Sequence, residues 1–155
     1  MKLQNILSPQ RTFINVEASS KKKALETIAR LIGSADPEIG TDALYTALTA
    51  RERLGSTGLG LGIAIPHCRL ATCTKITGSL IKLREGLDFD ALDSEPVDLI
   101  FALVVPEVAT EEHLQTLAGL AKLFNEAGFR TSLRTAHDAA ELFQRAIEYE
   151  NGEIT

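Results

Sequence analysis

The segment VDLIFALVVP, residues 97–106, is an almost unbroken apolar run that stops on a proline. A strand with one face in water alternates polar and apolar residues, whereas a strand apolar throughout must be covered on both faces. Pro106, with no N–H to donate, ends the run. The chain is therefore expected to build a sheet with helices on each side. KITGSLIKLRE has the period of a second strand, placing Ile76, Leu80 and Lys82 on one face and Thr77, Ile81 and Leu83 on the other. TFINVEASS alternates well enough for a third.

The helices needed to cover such a sheet are present. Ser19 or Ser20 can cap one that presents Leu25, Ile28, Ala29 and Ile32, with Gly33 and SADPEIG expected to end it. Another is expected from a Thr41 cap through DALYTALTARER, with Leu44, Ala47 and Leu48 inward and Arg51 continuing the stripe. TEEHLQTLAGLAKLFNEAG opens with a Thr110 cap and two glutamates near the positive end of the helix dipole, and is expected to end near Gly128. HDAAELFQRAIEY offers Ala139, Leu142, Phe143, Ala146 and Ile147, with Thr135 and Asp138 as a capping box and His137 solvated at its entry. Lys21, Lys22 and Lys23 read as a solvated helix start. No repeat, low-complexity tract or long linker interrupts the pattern, so residues 1–155 are expected to form one α/β sandwich.

At 155 residues the chain can bury roughly 70% of the surface its unfolded form exposes, so no disulfide or metal staple is needed. A net charge of −5 disfavours nucleic acid or an anionic membrane as the main partner, since either requires a basic face. Proteins or small molecules are the expected partners. There is neither a signal-peptide pattern nor an apolar run long enough to span a bilayer, and Cys68 and Cys73 are the only cysteines. These features point to the reducing cytoplasm.

The stretch GSTGLGLGIAIPHCR, residues 55–69, is unlike ordinary core. Its glycines match neither a Walker A loop, since no Gly-Lys-Ser/Thr follows, nor a dinucleotide fingerprint, since isoleucine occupies 63 and 65. What remains is a backbone able to aim N–H groups at one point, or simply a tight connection needing positive φ. His67 follows a strand stiffened by Pro66, and a neutral imidazole is a nitrogen nucleophile near neutral pH; a hydrogen-bonded structural histidine is the alternative. Arg51 should face the body of the protein beside the glycine loop, where its fork matches phosphoryl oxygens, or else it complements the helix C-terminus. His113 lies in the first turn of its helix on the stripe of Leu117, Leu120 and Phe124, either directed into an anion-favouring site or satisfied by a backbone carbonyl. A metal site from His67, Cys68, Cys73 and His113 is disfavoured, because the cysteine spacing matches no common zinc pattern.

The run Arg51-Glu52-Arg53-Leu54-Gly55-Ser56-Thr57-Gly58-Leu59-Gly60-Leu61-Gly62-Ile63-Ala64-Ile65-Pro66-His67 closely resembles the active-site signature of the enzyme IIA proteins of the phosphoenolpyruvate-dependent phosphotransferase system, fructose/mannitol class. LSPQRTFINVEASSKKKALETIARLI and DFDALDSEPVDLIFALVVPEVATEEHLQTLA are similar to its nitrogen-regulatory branch. The resemblance implies a mixed sheet with helices on both faces, His67 as phosphoryl acceptor, Arg51 as stabiliser of that group and His113 as a second active-site histidine. It implies a histidine phosphocarrier protein as donor, and regulated partners in nitrogen metabolism and potassium transport or sensing. Neither ATP nor a metal cofactor is implied at this step. One departure is Leu61, where asparagine is common in relatives. On this reading the backbone at Gly55, Gly58, Gly60 and Gly62, with the hydroxyls of Ser56 and Thr57, would hold the phosphoryl oxygens while Arg51 and His113 offset their charge. Two other functions stay open: a sugar-specific IIA passing phosphate to a IIB partner, and a binding module in which the histidine is vestigial.

Overall fold

A computed structural model describes residues 1–108 and 110–153. Its centre is the apolar run itself: β6 (Val97–Pro106) is flanked on both sides in a six-stranded mixed sheet. β5 (Thr77–Leu87) pairs antiparallel with one edge of β6, and β1 (Thr12–Val16) adds parallel to β5. On the other edge β3 (Ile63–Ala64) and β4 (His67–Leu70) run parallel to β6 in succession. Pro66 separates them, having no N–H for the ladder, while its carbonyl still accepts from Leu103 N at 2.9 Å. β2 (Gly58–Gly60) folds back antiparallel on β3, so the glycine-rich stretch forms a small hairpin.

Alternate side chains of β6 enter two cores, as a strand covered on both faces requires. Ile100, Ala102 and Val104 meet α1 (Lys21–Ala35) and α2 (Thr41–Arg53), which contribute Leu25, Ile28, Ile32, Leu44 and Leu48. Leu99, Phe101, Leu103 and Val105 meet α3 (Glu111–Phe124), α4 (Ala127–Arg134) and α5 (Ala139–Glu150). Phe124 packs edge-on against both Phe101 and Phe129, with ring centres 6.1 and 5.0 Å apart. The face assignments along 76–83 hold: Leu80 lies in the second core, Ile81 and Leu83 in the first, and Lys82 Nζ, on the Leu80 face, donates to the carbonyls of Arg134 and Ala136.

Several boundaries differ from expectation, each for a packing reason. α1 runs through Gly33 to Ala35; the glycine serves packing, since a side chain there would collide with Thr41 Oγ1, 2.1 Å from the position of its Cβ. Gly40, at φ +84°, is the N-cap of α2, and Thr41 is its first helical residue. The third helix stops at Phe124, and α4 is a separate helix containing Gly128, whose place is taken up by Tyr149 Oη 2.9 Å from the Cβ position. Asp138 alone caps α5, accepting from Glu141 N; Thr135 Oγ1 donates instead to Thr131 O. Among the described residues no helix is long and apolar enough to cross a membrane.

Candidate functional site

The last turn of α2, the first residue of β4 and the first turn of α3 converge at one end of the sheet. Their side chains there are Arg51, His67 and His113, lining an open cleft of about 620 Å³ with Leu54, Leu114 and Leu117 on its walls. A second lobe of about 290 Å³ shares Arg51, His67 and Leu117 and extends to Ser56, Thr57 and Leu59. The rim is apolar: Leu54 is 85% exposed, and Leu59 and Leu114 are also open to solvent.

His67 is half-buried, and its Nδ1 lies 2.8 Å from the carbonyl of Ile65. A carbonyl can only accept, so Nδ1 carries the proton and the neutral ring keeps its lone pair on Nε2. Burial, the dominant influence, lowers the imidazole pKa from its ordinary value; the Ile65 carbonyl opposes it, Arg51 lowers it further and Glu52 raises it. At neutral pH the ring is thus a neutral nitrogen base with a defined tautomer.

Arg51 lines both lobes as the helix stripe required, and its Nη1 also donates to Gly55 O at 2.9 Å, tying the helix end to the loop. His113 is only 8% exposed. Its backbone N–H donates to the Thr110 cap, and among the described residues its Nδ1 has no hydrogen-bond partner. The carbonyl contact that would make it purely structural is therefore missing at that nitrogen, and a buried polar atom without a partner is costly.

The proposed cradle is divided. Ser56 and Thr57 border His67, but their hydroxyls already donate, Ser56 to Phe89 O at 2.7 Å and Thr57 to Glu52 at 2.7 Å. The N–H groups of Gly55, Thr57 and Gly58 donate to Glu52 O, Glu52 Oε1 and Ser56 Oγ. Gly60 lies against Asp93, and Gly62 against Arg134 and Asp98, in a different cleft that also holds Leu61. The structure thus gathers His67, Arg51, His113, Ser56 and Thr57, and places Gly60 and Gly62 at the far turn of the hairpin.

Sequence reasoning missed Glu52. It is buried, and its carboxylate takes Lys21 Nζ at 2.8 Å in addition to the two Thr57 bonds. The available signal was a carboxylate in the last turn of a helix whose C-terminal dipole disfavours it, five residues before a threonine. Cys68 is buried beside His67 with its thiol pushed up to about 12, chiefly by desolvation. Among the described residues no three His, Cys, Asp or Glu side chains assemble as a metal site.

Residues 5–148 match the family described as phosphoenolpyruvate-dependent sugar phosphotransferase system, EIIA 2. The chain is 46% identical to a nitrogen regulatory protein of Pseudomonas aeruginosa over 153 residues, covering 99% of each. It is 36% identical over 118 residues to a fructose-specific EIIA component of Haloferax volcanii, covering 76% of this chain and 77% of that one. Among solved structures, the nitrogen regulatory protein IIA-Ntr of Neisseria meningitidis superposes with a TM-score of 0.84 at 43% identity, covering 94% of this chain and 97% of that one. The IIA mannitol protein of Escherichia coli shares the fold, with a TM-score of 0.73 at 18% identity over 90% of this chain and 97% of that one.

Proposed function

This chain belongs to the EIIA 2 family of the phosphoenolpyruvate-dependent phosphotransferase system, and from that premise we propose that residues 1–155 act as one regulatory phosphoryl carrier of the nitrogen branch. The donor is the phosphohistidine of a small histidine phosphocarrier protein, docked on the apolar rim around the cleft. The observation that carries this reading is the Nδ1–H of His67 held on Ile65 O, which leaves the Nε2 lone pair for attack.

In the proposed step Nε2 attacks phosphorus in line as the donor P–N bond breaks. The donor ring leaves with the electron pair of that bond, and His67 becomes an Nε2-phosphorylated imidazolium, net negative through its phosphoryl oxygens, whose Nδ1–H stays on the Ile65 carbonyl. Such a transfer needs positioning and charge stabilisation more than covalent assistance. Arg51 supplies a fixed guanidinium to the phosphoryl oxygens, and His113, whose buried Nδ1 has no partner among the described residues, supplies a second polar group. Ser56 and Thr57 reach the oxygens only by exchanging their present bonds. The carrier works in the cytoplasm, and its phosphorylation state is read by protein partners such as potassium-transport or sensor proteins.

The test is phosphorylation from phosphoenolpyruvate through enzyme I and the phosphocarrier, read by intact mass. One acid-labile phosphoryl adduct on the parent, absent from a folded His67→Ala variant, is the expected result. A folded parent without an adduct refutes the proposal and favours a binding module. The Haloferax relative supports a second reading, a fructose-type IIA; transfer onward to a sugar-specific IIB protein would favour it.

A further inference from the structure

A buried carboxylate is expensive unless it is paired and its charge is used. Glu52 lines neither lobe of the His67 cleft, and three donors converge on its two oxygens: Thr57 N at 2.9 Å, Thr57 Oγ1 at 2.7 Å and Lys21 Nζ at 2.8 Å. Lys21 is held in turn, its ammonium 5.1 Å from the centre of the Phe89 ring and 3.5 Å from Asp90. A buried ion pair adds little stability over an apolar pair of the same shape, so its value lies in what it places.

The hydrogen bonds continue from Thr57 to the reactive ring. Thr57 O accepts from Ile65 N at 3.0 Å, and Ile65 O accepts from His67 Nδ1 at 2.8 Å. Pro66, between them, has a fixed φ, so a displacement of Ile65 carries directly into His67.

We propose that Glu52 is a positioning residue for phosphoryl transfer: by clamping Thr57 it fixes Ile65, whose carbonyl holds the Nδ1–H tautomer and turns Nε2 toward the cleft. The inference rests on the carrier reading above. The charge is needed because a neutral amide has a single acceptor oxygen for three donors and would turn its own N–H groups toward one of them. The opposed influences of Arg51 and Glu52 on the His67 ring agree with this arrangement.

Two measurements on the full chain and on Glu52→Gln test it. The first is the 15N spectrum of the His67 imidazole in mildly alkaline buffer, where the neutral ring reports its tautomer. The second is single-turnover transfer from the phosphorylated phosphocarrier across a range of donor concentrations. The parent is expected to show the Nδ1–H form. Glu52→Gln should show a mixture with the Nε2–H form and a maximal rate lower by about 10- to 100-fold, the scale of a small misplacement. Half-saturation should be unchanged, because Glu52 is not on the docking rim. If Glu52→Gln does not fold, Thr57→Val, which keeps the N–H and removes the hydroxyl, should show the same tautomer change with a several-fold loss. A parental tautomer ratio in a folded variant overturns the proposal, whatever the rate. A parent that accepts no phosphoryl group refutes the carrier reading instead, and the tautomer measurement then still decides whether Glu52 orients the ring.

Discussion

The glycine-rich stretch is two structures in one, and its ends obey different physics. Residues 55–58 are bound inward, to Glu52, to the Ser56 hydroxyl and through it to Phe89, and they border the reactive ring. Residues 60–62 form a turn with φ of +96°, +60° and +79°, held from outside by Asp93 and by Arg134, which donates to Leu61 O at 2.7 Å and to Asp98. The family resemblance made the stretch look like one cradle, where the glycines by themselves allowed a simple tight connection as well. At the first end small residues allow close packing beside a site, and at the second they allow a backbone conformation that L-residues avoid. Changes at the first end should therefore act on transfer, and changes at the second on stability.

The largest effect is expected from Arg51→Ala. It removes the guanidinium of the cleft and the bond to Gly55 O, and transfer should slow by about 10² to 10³-fold, as for loss of one preorganised donor. Rapid-quench transfer from the phosphocarrier measures this; a parental rate would remove Arg51 from the mechanism. His113→Ala should also be slower, by a smaller factor.

Gly62→Ala should leave transfer by the folded protein unchanged and cost about 2–3 kcal/mol of stability. Its Cβ would lie 2.3 Å from Arg134 Nη2 and 2.7 Å from Asp98 Oδ1, at a positive φ. Urea unfolding measures the loss. A variant of parental stability with slowed transfer would put the far turn back into the site and erase the distinction between the two ends.

Acid should separate the ends as well. The folded His67 pKa lies below the ordinary histidine value of 6.5, so protons bind the unfolded chain first, and stability contributed by the neutral ring is complete above that value. As pH falls through 6.5 toward the folded pKa this contribution declines, and transfer falls as Nε2 is protonated. The rate profile should be flat above the ordinary histidine range and fall at a midpoint below it. Arg51→Met should raise that midpoint, because Arg51 is one of the influences holding it down. Gly62→Ala should leave it in place.

What could be read without coordinates follows the same division. The two-sided strand at 97–106 and the amphipathic helices were legible because burial imposes a period on the chain. The gathering of Arg51, His67 and His113 was legible because each sits on an inward stripe or at a strand end. Gly33 and Gly128 were misleading as helix ends. Each is small to admit Thr41 or Tyr149 from another element, and such a contact leaves no local signal. Glu52 left only a weak trace, a carboxylate in the last turn of its helix, because its partners come from α1 and from the loop.

The smallest expected effect sharpens the comparison most directly. Leu61, 49% exposed, sits at φ +60°, where a leucine is unfavourable by roughly 1–2 kcal/mol and asparagine is better tolerated. The contacts that hold it use its backbone, N–H to Asp93 and carbonyl to Arg134. Backbone conformation by itself would favour an asparagine at this position, with no polar contact to the phosphoryl group required. Leu61→Asn should stabilise the protein by about 1 kcal/mol in urea unfolding and leave the transfer rate unchanged. Faster transfer without added stability would mean that the side chain at this turn reaches the reaction after all.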